Sequence, residues 1–284
     1  MTDTPARLLR QGALPDMVRW YSPTLLAQVG VRTVISATFG QYADQRLLQA
    51  VTDSASEAGL RIRYDFSDLE APDPAHRLPT DAHGGIWVDY AADVGDGFLA
   101  TYPTAYTLAQ PHLDVPNAGK LPAGEILIMG GDQAYPAATR EAYKDRFQLP
   151  FRWAFPAMTA QRRLFAIPGN HDWYDGLAAF DSLFCAARAG DAKGGARIGG
   201  WQCQQHRSYW SIRLPYDWWI WGADIQFSQY LDDAQIRYFE LMAESMQPGH
   251  KVVLCMAEPA WLVAERQIDL VARQRVAEGG HHPI

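Results

Sequence analysis

The sequence predicts an α/β protein, on three observations. Short apolar runs at 86–92, 125–129 and 164–167 each end in a loop rich in Gly, Asp or Asn. An apolar run bounded by turn residues reads as a buried strand. Each run is followed by a stretch with helical character, at 101–110, 139–147 and 177–187, the strand–helix alternation of a parallel sheet. The polar residues that follow the runs therefore sit on loops leaving the carboxyl ends of strands, where open α/β sheets gather their chemistry.

In chain order, residues 1–23 are irregular and read as an N-terminal arm, with a single domain over 24–284. The β-branched run 31–37 predicts a strand, 43–51 a helix, and the alternating 61–66 another strand. Residues 69–85, rich in Pro, Asp and His, predict a loop. After the three strand–helix units the pattern changes. Residues 208–214 and 218–221 are rich in aromatic and β-branched side chains and flank Pro215-Tyr216-Asp217, a hairpin signature. Asp232 or Asp233 can cap a helix with Ile236, Phe239, Met242 and Met246 on one face. Residues 252–256 predict a last buried strand, and 261–276 a final helix.

Composition narrows the class. Hydrophobic residues make up 48% and charged residues 20%, ordinary for a globular protein with a sizeable core. A net charge of −7 predicts no nucleic-acid surface. Cys185, Cys203 and Cys255 are widely spaced and odd in number, which suggests buried free thiols in a reducing compartment. The start Met1-Thr2-Asp3-Thr4-Pro5 lacks signal-peptide features, and no apolar run approaches membrane-spanning length. The expectation is a cytoplasmic protein with no membrane partner.

The chemistry-bearing residues are ordered. Asp93 stands in a D-x-G triplet, Asp132 in the pair Gly131-Asp132, and Gly169-Asn170-His171-Asp172 follows the third strand. In order and rough spacing these motifs resemble those of the calcineurin-like metallophosphoesterases, over about residues 86–261. GNHD after a strand is a specific signal, whereas a lone GD or D-x-G is weak and an isolated Asp there more often caps a helix. The resemblance implies a sandwich of two mixed β-sheets flanked by helices, incomplete at its C-terminal end. It also implies hydrolysis of a phosphoester substrate by a metal-bound hydroxide on a dinuclear centre. Two divalent ions (Mn, Mg, Fe or Zn) would lower the pKa of a bridging water and clamp the phosphoryl oxygens. By this resemblance Asp132 bridges the ions, Asp93 binds the first, and Asn170 binds the second through its amide oxygen. His171 faces the substrate, and Asp172 fixes its tautomer and raises its pKa.

Departures from the family pattern matter equally. Gly95 replaces the His of the commoner D-x-H motif, which resembles purple acid phosphatases, and Tyr135 falls where those enzymes place a tyrosinate ligand. Packing ahead of Pro136 is the simpler reading of Tyr135. Asp96 either turns its loop or supplies an extra oxygen ligand. Where the family has a fourth-motif His, the chain reads Ala257-Glu258-Pro259. Glu258 is either a substitute oxygen ligand or a surface residue near a helix start. Gly280-His281-His282 is the only candidate for the last His motif. These departures predict an unpaired sheet edge near 218–221, weak metal-supplemented activity, and homodimerisation or marginal solubility. They also sustain a rival reading, a catalytically weak or inactive scaffold that binds a partner. No P-loop motif is present. An HD-type phosphohydrolase would be all-helical, whereas His171-Asp172 follows a strand.

Overall fold

A computed structural model of the chain describes residues 14–27, 29–31, 64–156, 162–186, 195–225 and 231–259. The sequence-predicted elements at 43–51 and 261–276, the Gly280-His281-His282 motif, and all but Val31 of the strand expected at 31–37 lie outside the described residues; Val31 itself is helical rather than extended. The elements are strands β1 (Tyr64–Asp65) and β2 (Val88–Ala91), helix α1 (Phe98–Ala109), the hairpin of β3 (His112–Val115) and β4 (Gly119–Pro122), and β5 (Ile126–Met129). A helical run follows: α2 (Arg140–Ala142), a π turn (Tyr143–Gln148) and α3 (Leu149–Ala154). Then come β6 (Arg162–Ala166), a 3-10 turn (Asp172–Asp175), α4 (Ala178–Phe184), β7 (Arg197–Ile198) and β8 (Trp201–Cys203). The chain continues through β9 (Trp210–Arg213), β10 (Trp218–Gly222), α5 (Asp233–Ala243) and β11 (Lys251–Cys255).

Two mixed sheets result. One has the order β2-β5-β6-β8-β7, and the other β1-β9-β10-β11. In the first, β2, β5, β6 and β8 run parallel and β7 is antiparallel to β8. In the second, β9 and β10 form the predicted antiparallel hairpin, while β1 and β11 pair in parallel on either side of it.

The central strands show why their sequences are continuously apolar. All four residues of β5 are buried. Ile126 and Ile128 join Phe165, Ile212 and Ile220 in a core between the two sheets. Leu127 and Met129 point the other way, into a core shared with Ala105 of α1, Phe147 and Phe151 of the helical run, and Phe180 and Phe184 of α4. A strand covered on both faces has no polar side to show. Beyond the second sheet, Tyr209 and Ala223 pack with Tyr238, Phe239, Leu241 and Met242 of α5. The layers are therefore helices, sheet, sheet and helix, an α/β arrangement of mixed sheets flanked by helices.

Local chemistry sets the element ends. Thr139 caps α2 by accepting from Ala142 N at 3.2 Å, and Asp232 caps α5 by accepting from Gln235 N at 2.9 Å. Two sequence expectations require correction. The buried face of α5 is centred on Gln235, Tyr238, Phe239, Leu241 and Met242, and Ile236 is 43% exposed. The face is turned because the Gln235 side chain reaches Asp224 O and Asp224 N, at 2.7 and 3.0 Å. Strand β11 is not buried: Val252, Val253 and Leu254 are 39%, 45% and 52% exposed. Among the described residues it pairs on one side only, with β10. Among the described residues the unpaired edge is thus β11, the neighbour of the Trp218–Gly222 strand. Trp219 is a core residue, and Trp221 packs against Phe239. All three cysteines are free. Among the described residues no helix is long and apolar enough to cross a membrane.

Candidate functional site

The parallel strands β2, β5 and β6 deliver three loops to one end of the first sheet, and those loops are laced together. Asp93 N donates to Gly131 O at 3.1 Å, Gly130 N to Ala91 O at 2.7 Å, and Tyr135 N to Gly95 O at 3.1 Å. Gly95 lies so close to the next loop that a Cβ on it would meet Gln133 O at 2.0 Å. No larger side chain fits at 95, which gives the Gly of D-x-G a local steric cause. Likewise, a Cβ on Gly169 would lie 2.2 Å from Asp132 Oδ1.

Asp93 and Asp132 both adopt left-handed backbone, with φ of 56° and 53°. Asp tolerates this region better than most residues, and its occurrence at two strand ends re-aims both carboxylates. They converge on one phenol. The Tyr135 hydroxyl lies 2.7 Å from Asp93 Oδ1 and 3.2 Å from Asp132 Oδ2. The other Asp132 oxygen accepts the His171 backbone N–H at 3.0 Å. Burial raises the Asp132 carboxyl above its ordinary pKa, while His171 opposes the rise. Burial and the two carboxylates also push the Tyr135 phenol upward, so Tyr135 is a neutral donor in this arrangement.

His171 and Asp172 take different places from those the sequence suggested. His171 Nδ1 lies 2.7 Å from Pro136 O. A carbonyl only accepts, so Nδ1 carries the proton and Nε2 is left as the other ring nitrogen. The expected Asp172–imidazole pair is replaced by this carbonyl. Asp172 is fully buried beneath the loops instead. Its Oδ2 accepts from Asp132 N and Gly169 N, each at 2.8 Å, and its Oδ1 meets the Tyr143 hydroxyl. One carboxylate thus fixes the backbones of the second and third loops and anchors both to the π turn. Burial first, and then the Asp132 charge, raise the Asp172 carboxyl to about 8. The next residue, Trp173, donates to Asp224 Oδ1 at 2.9 Å, tying the 3-10 turn to the segment after β10.

The remaining candidates are placed as follows. Asn170 is exposed on the loop between Gly169 and His171. The Asp96 carboxylate accepts from the Trp20 indole N–H at 2.9 Å, and its carbonyl accepts from Arg146 Nη1 at 2.6 Å. Asp96 therefore ties its turn to the N-terminal arm. Ala257 comes to the same end of the molecule, since a Cβ on Gly131 would be 3.4 Å from Ala257 Cβ. Glu258 lines an apolar groove of about 850 Å³ between the sheets, alongside Tyr90, Ile220 and Val253. That groove does not lie over Asp93 or Asp132. The second cavity, of about 380 Å³, runs beside Tyr135 and is walled by Pro15, Leu25 and Arg146.

The donors suit one hard divalent cation: two carboxylates meeting at one phenol, oxygen atoms only, with an amide on the adjoining loop. Among the described residues no group of three or more His, Cys, Asp or Glu converges to hold a metal ion. Sequence reasoning did not find Trp20, Tyr143 or Arg146, because none of them stands in a local motif. Comparison with protein-family models, curated proteins and solved structures gives no match. The likeness to metallophosphoesterases therefore rests on the sequence motifs alone.

Proposed function

We propose that the chain is a metal-dependent phosphoester hydrolase of the calcineurin-like type. The observation that carries this reading is the meeting of Asp93 and Asp132 on the Tyr135 hydroxyl, with His171 bonded to the same Asp132. Two acidic residues in left-handed backbone, held within one hydrogen-bonded cluster, are costly unless a cation offsets their charge. A divalent ion bound by Asp93 and Asp132, with Asn170 as the amide donor, would offset phosphoryl charge and lower the pKa of the attacking water.

The chain's own groups do the rest. The His171 backbone N–H and the Tyr135 hydroxyl hold the two Asp132 oxygens in fixed directions. Pro136 O holds the Nδ1 proton of His171, so Nε2 is the nitrogen available to a phosphoryl oxygen or a departing alkoxide. Asp172 fixes the backbone that carries both residues.

The test is hydrolysis of aryl phosphate mono- and diesters with added Mn or Mg, together with metal titration by calorimetry. Asp132→Asn keeps a residue that tolerates left-handed backbone and removes the charge. It is expected to abolish metal-dependent turnover and to weaken metal binding. Undiminished turnover in that variant would remove the proposal. A second reading, a scaffold that binds a partner without catalysis, is favoured by Ala257 at the fourth-motif position and by the sparse ligand set. A wild-type chain that neither binds metal nor turns over any ester supports it.

A further inference from the structure

The N-terminal arm reaches the candidate site through Trp20. The indole ring meets Tyr135 edge-on at 5.3 Å between centroids, and His171 edge-on at 5.8 Å. Tyr135 and His171 are themselves 4.7 Å apart, and Tyr174 closes another side of His171 at 4.9 Å. The Trp20 indole N–H is committed to Asp96. One side chain therefore touches or bonds a residue of the first loop, of the second and of the third.

The arm that presents it is firmly attached. Phe98 N donates to Pro15 O at 3.1 Å, and Val18 N to Asp96 O at 3.0 Å. Arg146 Nη1 bridges Asp16 O and Asp96 O, at 3.0 and 2.6 Å. A Cβ on Gly97 would lie 2.8 Å from Met17 N, so the arm crosses the first loop at a distance that only glycine allows.

We propose that Trp20 is a positioning residue of this site, and that the N-terminal arm is part of the site rather than an appendage. Tyr135 and His171 each have polar contacts on one flank, to the carboxylates and to Pro136 O. The indole packs edge-on against another flank of both rings. Trp20 thereby keeps the phenol between the carboxylates and the imidazole on its carbonyl. Edge-to-face contacts of this kind favour defined ring orientations.

The kinetic arm of the test rests on the phosphoester-hydrolase reading; the spectroscopic arm does not. Trp20→Ala and Trp20→Leu remove the flat ring, and Leu keeps apolar bulk should the Ala variant fail to fold. Trp20→Phe keeps a ring and loses only the bond to Asp96. In the Ala and Leu variants kcat for aryl phosphate is expected to fall about 10- to 100-fold, the scale of a small misplacement of reacting groups, with little change in KM. The Phe variant is expected to keep most of the activity. Independently, proton NMR of the imidazole Nδ1–H, assigned by its loss in His171→Ala, is expected to show a protected signal in the wild type and Trp20→Phe. That signal should be lost to exchange in Trp20→Ala and Trp20→Leu. A wild type without turnover overturns the hydrolase reading and leaves the NMR comparison to decide the role of Trp20. A folded Ala or Leu variant with an unchanged Nδ1–H signal overturns the proposal.

Discussion

Asp172 offers the sharpest test of how the site is held. Replacing it with Ala deletes the acceptor of three buried donors: Asp132 N, Gly169 N and the Tyr143 hydroxyl. A buried donor left without a partner costs about 1–3 kcal/mol, so the loss is expected to reach at least about 3 kcal/mol. That is a large part of the roughly 5–15 kcal/mol that holds a typical domain. Asp172→Asn should behave differently. Its amide oxygen can accept both backbone N–H groups, its NH₂ can face the Tyr143 hydroxyl oxygen, and it stays neutral at every pH. The folded-state carboxyl is raised from its usual 3.8 to about 8. A raised acid contributes stability that is fully present below its unfolded pKa and is lost as pH rises through the folded value. Each unit of displacement corresponds to about 1.4 kcal/mol, so the wild type should lose several kcal/mol between pH 4 and 8 that Asp172→Asn retains. Urea denaturation across this range, with chelator present to keep the site free of metal, measures both effects. A wild-type minus Asn difference that does not change with pH would refute the protonated-hub argument. An Ala variant within about 1 kcal/mol of wild type would refute the hydrogen-bond argument.

His171→Ala is expected to leave metal binding unchanged in calorimetry and to lower kcat by about 10²–10⁴-fold, the scale of general-acid or electrostatic assistance. Loss of metal along with activity would make the imidazole a ligand instead. At the sheet edge, β11 leaves Val253 45% and Leu254 52% exposed, so the wild type should self-associate with rising concentration. Val253→Lys should reduce this association, because a charge on an open edge discourages pairing. Light scattering that finds the wild type monomeric at all concentrations would end that argument.

The sequence made some of this legible, and the reason is locality. A strand buried on both faces must be apolar throughout, so β5 and the buried Leu164–Ala166 end of β6 were readable, and the residues just beyond them were placed at one sheet end by connectivity alone. The hairpin of β9 and β10 was readable because its strands and turn are contiguous. What escaped depends on chain segments far apart. Trp20 bonds Asp96 across 76 positions, and no pattern near either residue announces it. The role of Asp172 was misread because adjacency to His171 in sequence suggested a pair. In the fold its carboxylate turns inward to Asp132 N, 40 positions away. The exposure of β11 was equally hidden, since Lys251–Cys255 reads like an interior strand while its neighbours are set by topology.

The double-sided burial of β5 also bears on how the chain folds during synthesis. The first sheet is complete once β8 has emerged at Cys203, with α1, the helical run and α4 able to cover one of its faces. Its other face carries Ile126, Ile128 and Phe165; of the residues packed with them Phe66 and Leu78 are made earlier, but Trp210, Ile212, Leu214 and Ile220 are made later. Among the described residues, strand β1, synthesised early, pairs with the later-made β9. A nascent chain is therefore expected to pass through an interval with a finished sheet bearing an uncovered apolar face, the state in which chains bind chaperones or aggregate. Ribosome-stalled chains ending near residue 207 should bind a holdase chaperone more strongly than those extended past β11. Equal binding at both lengths would mean that the first sheet does not assemble until the second is available.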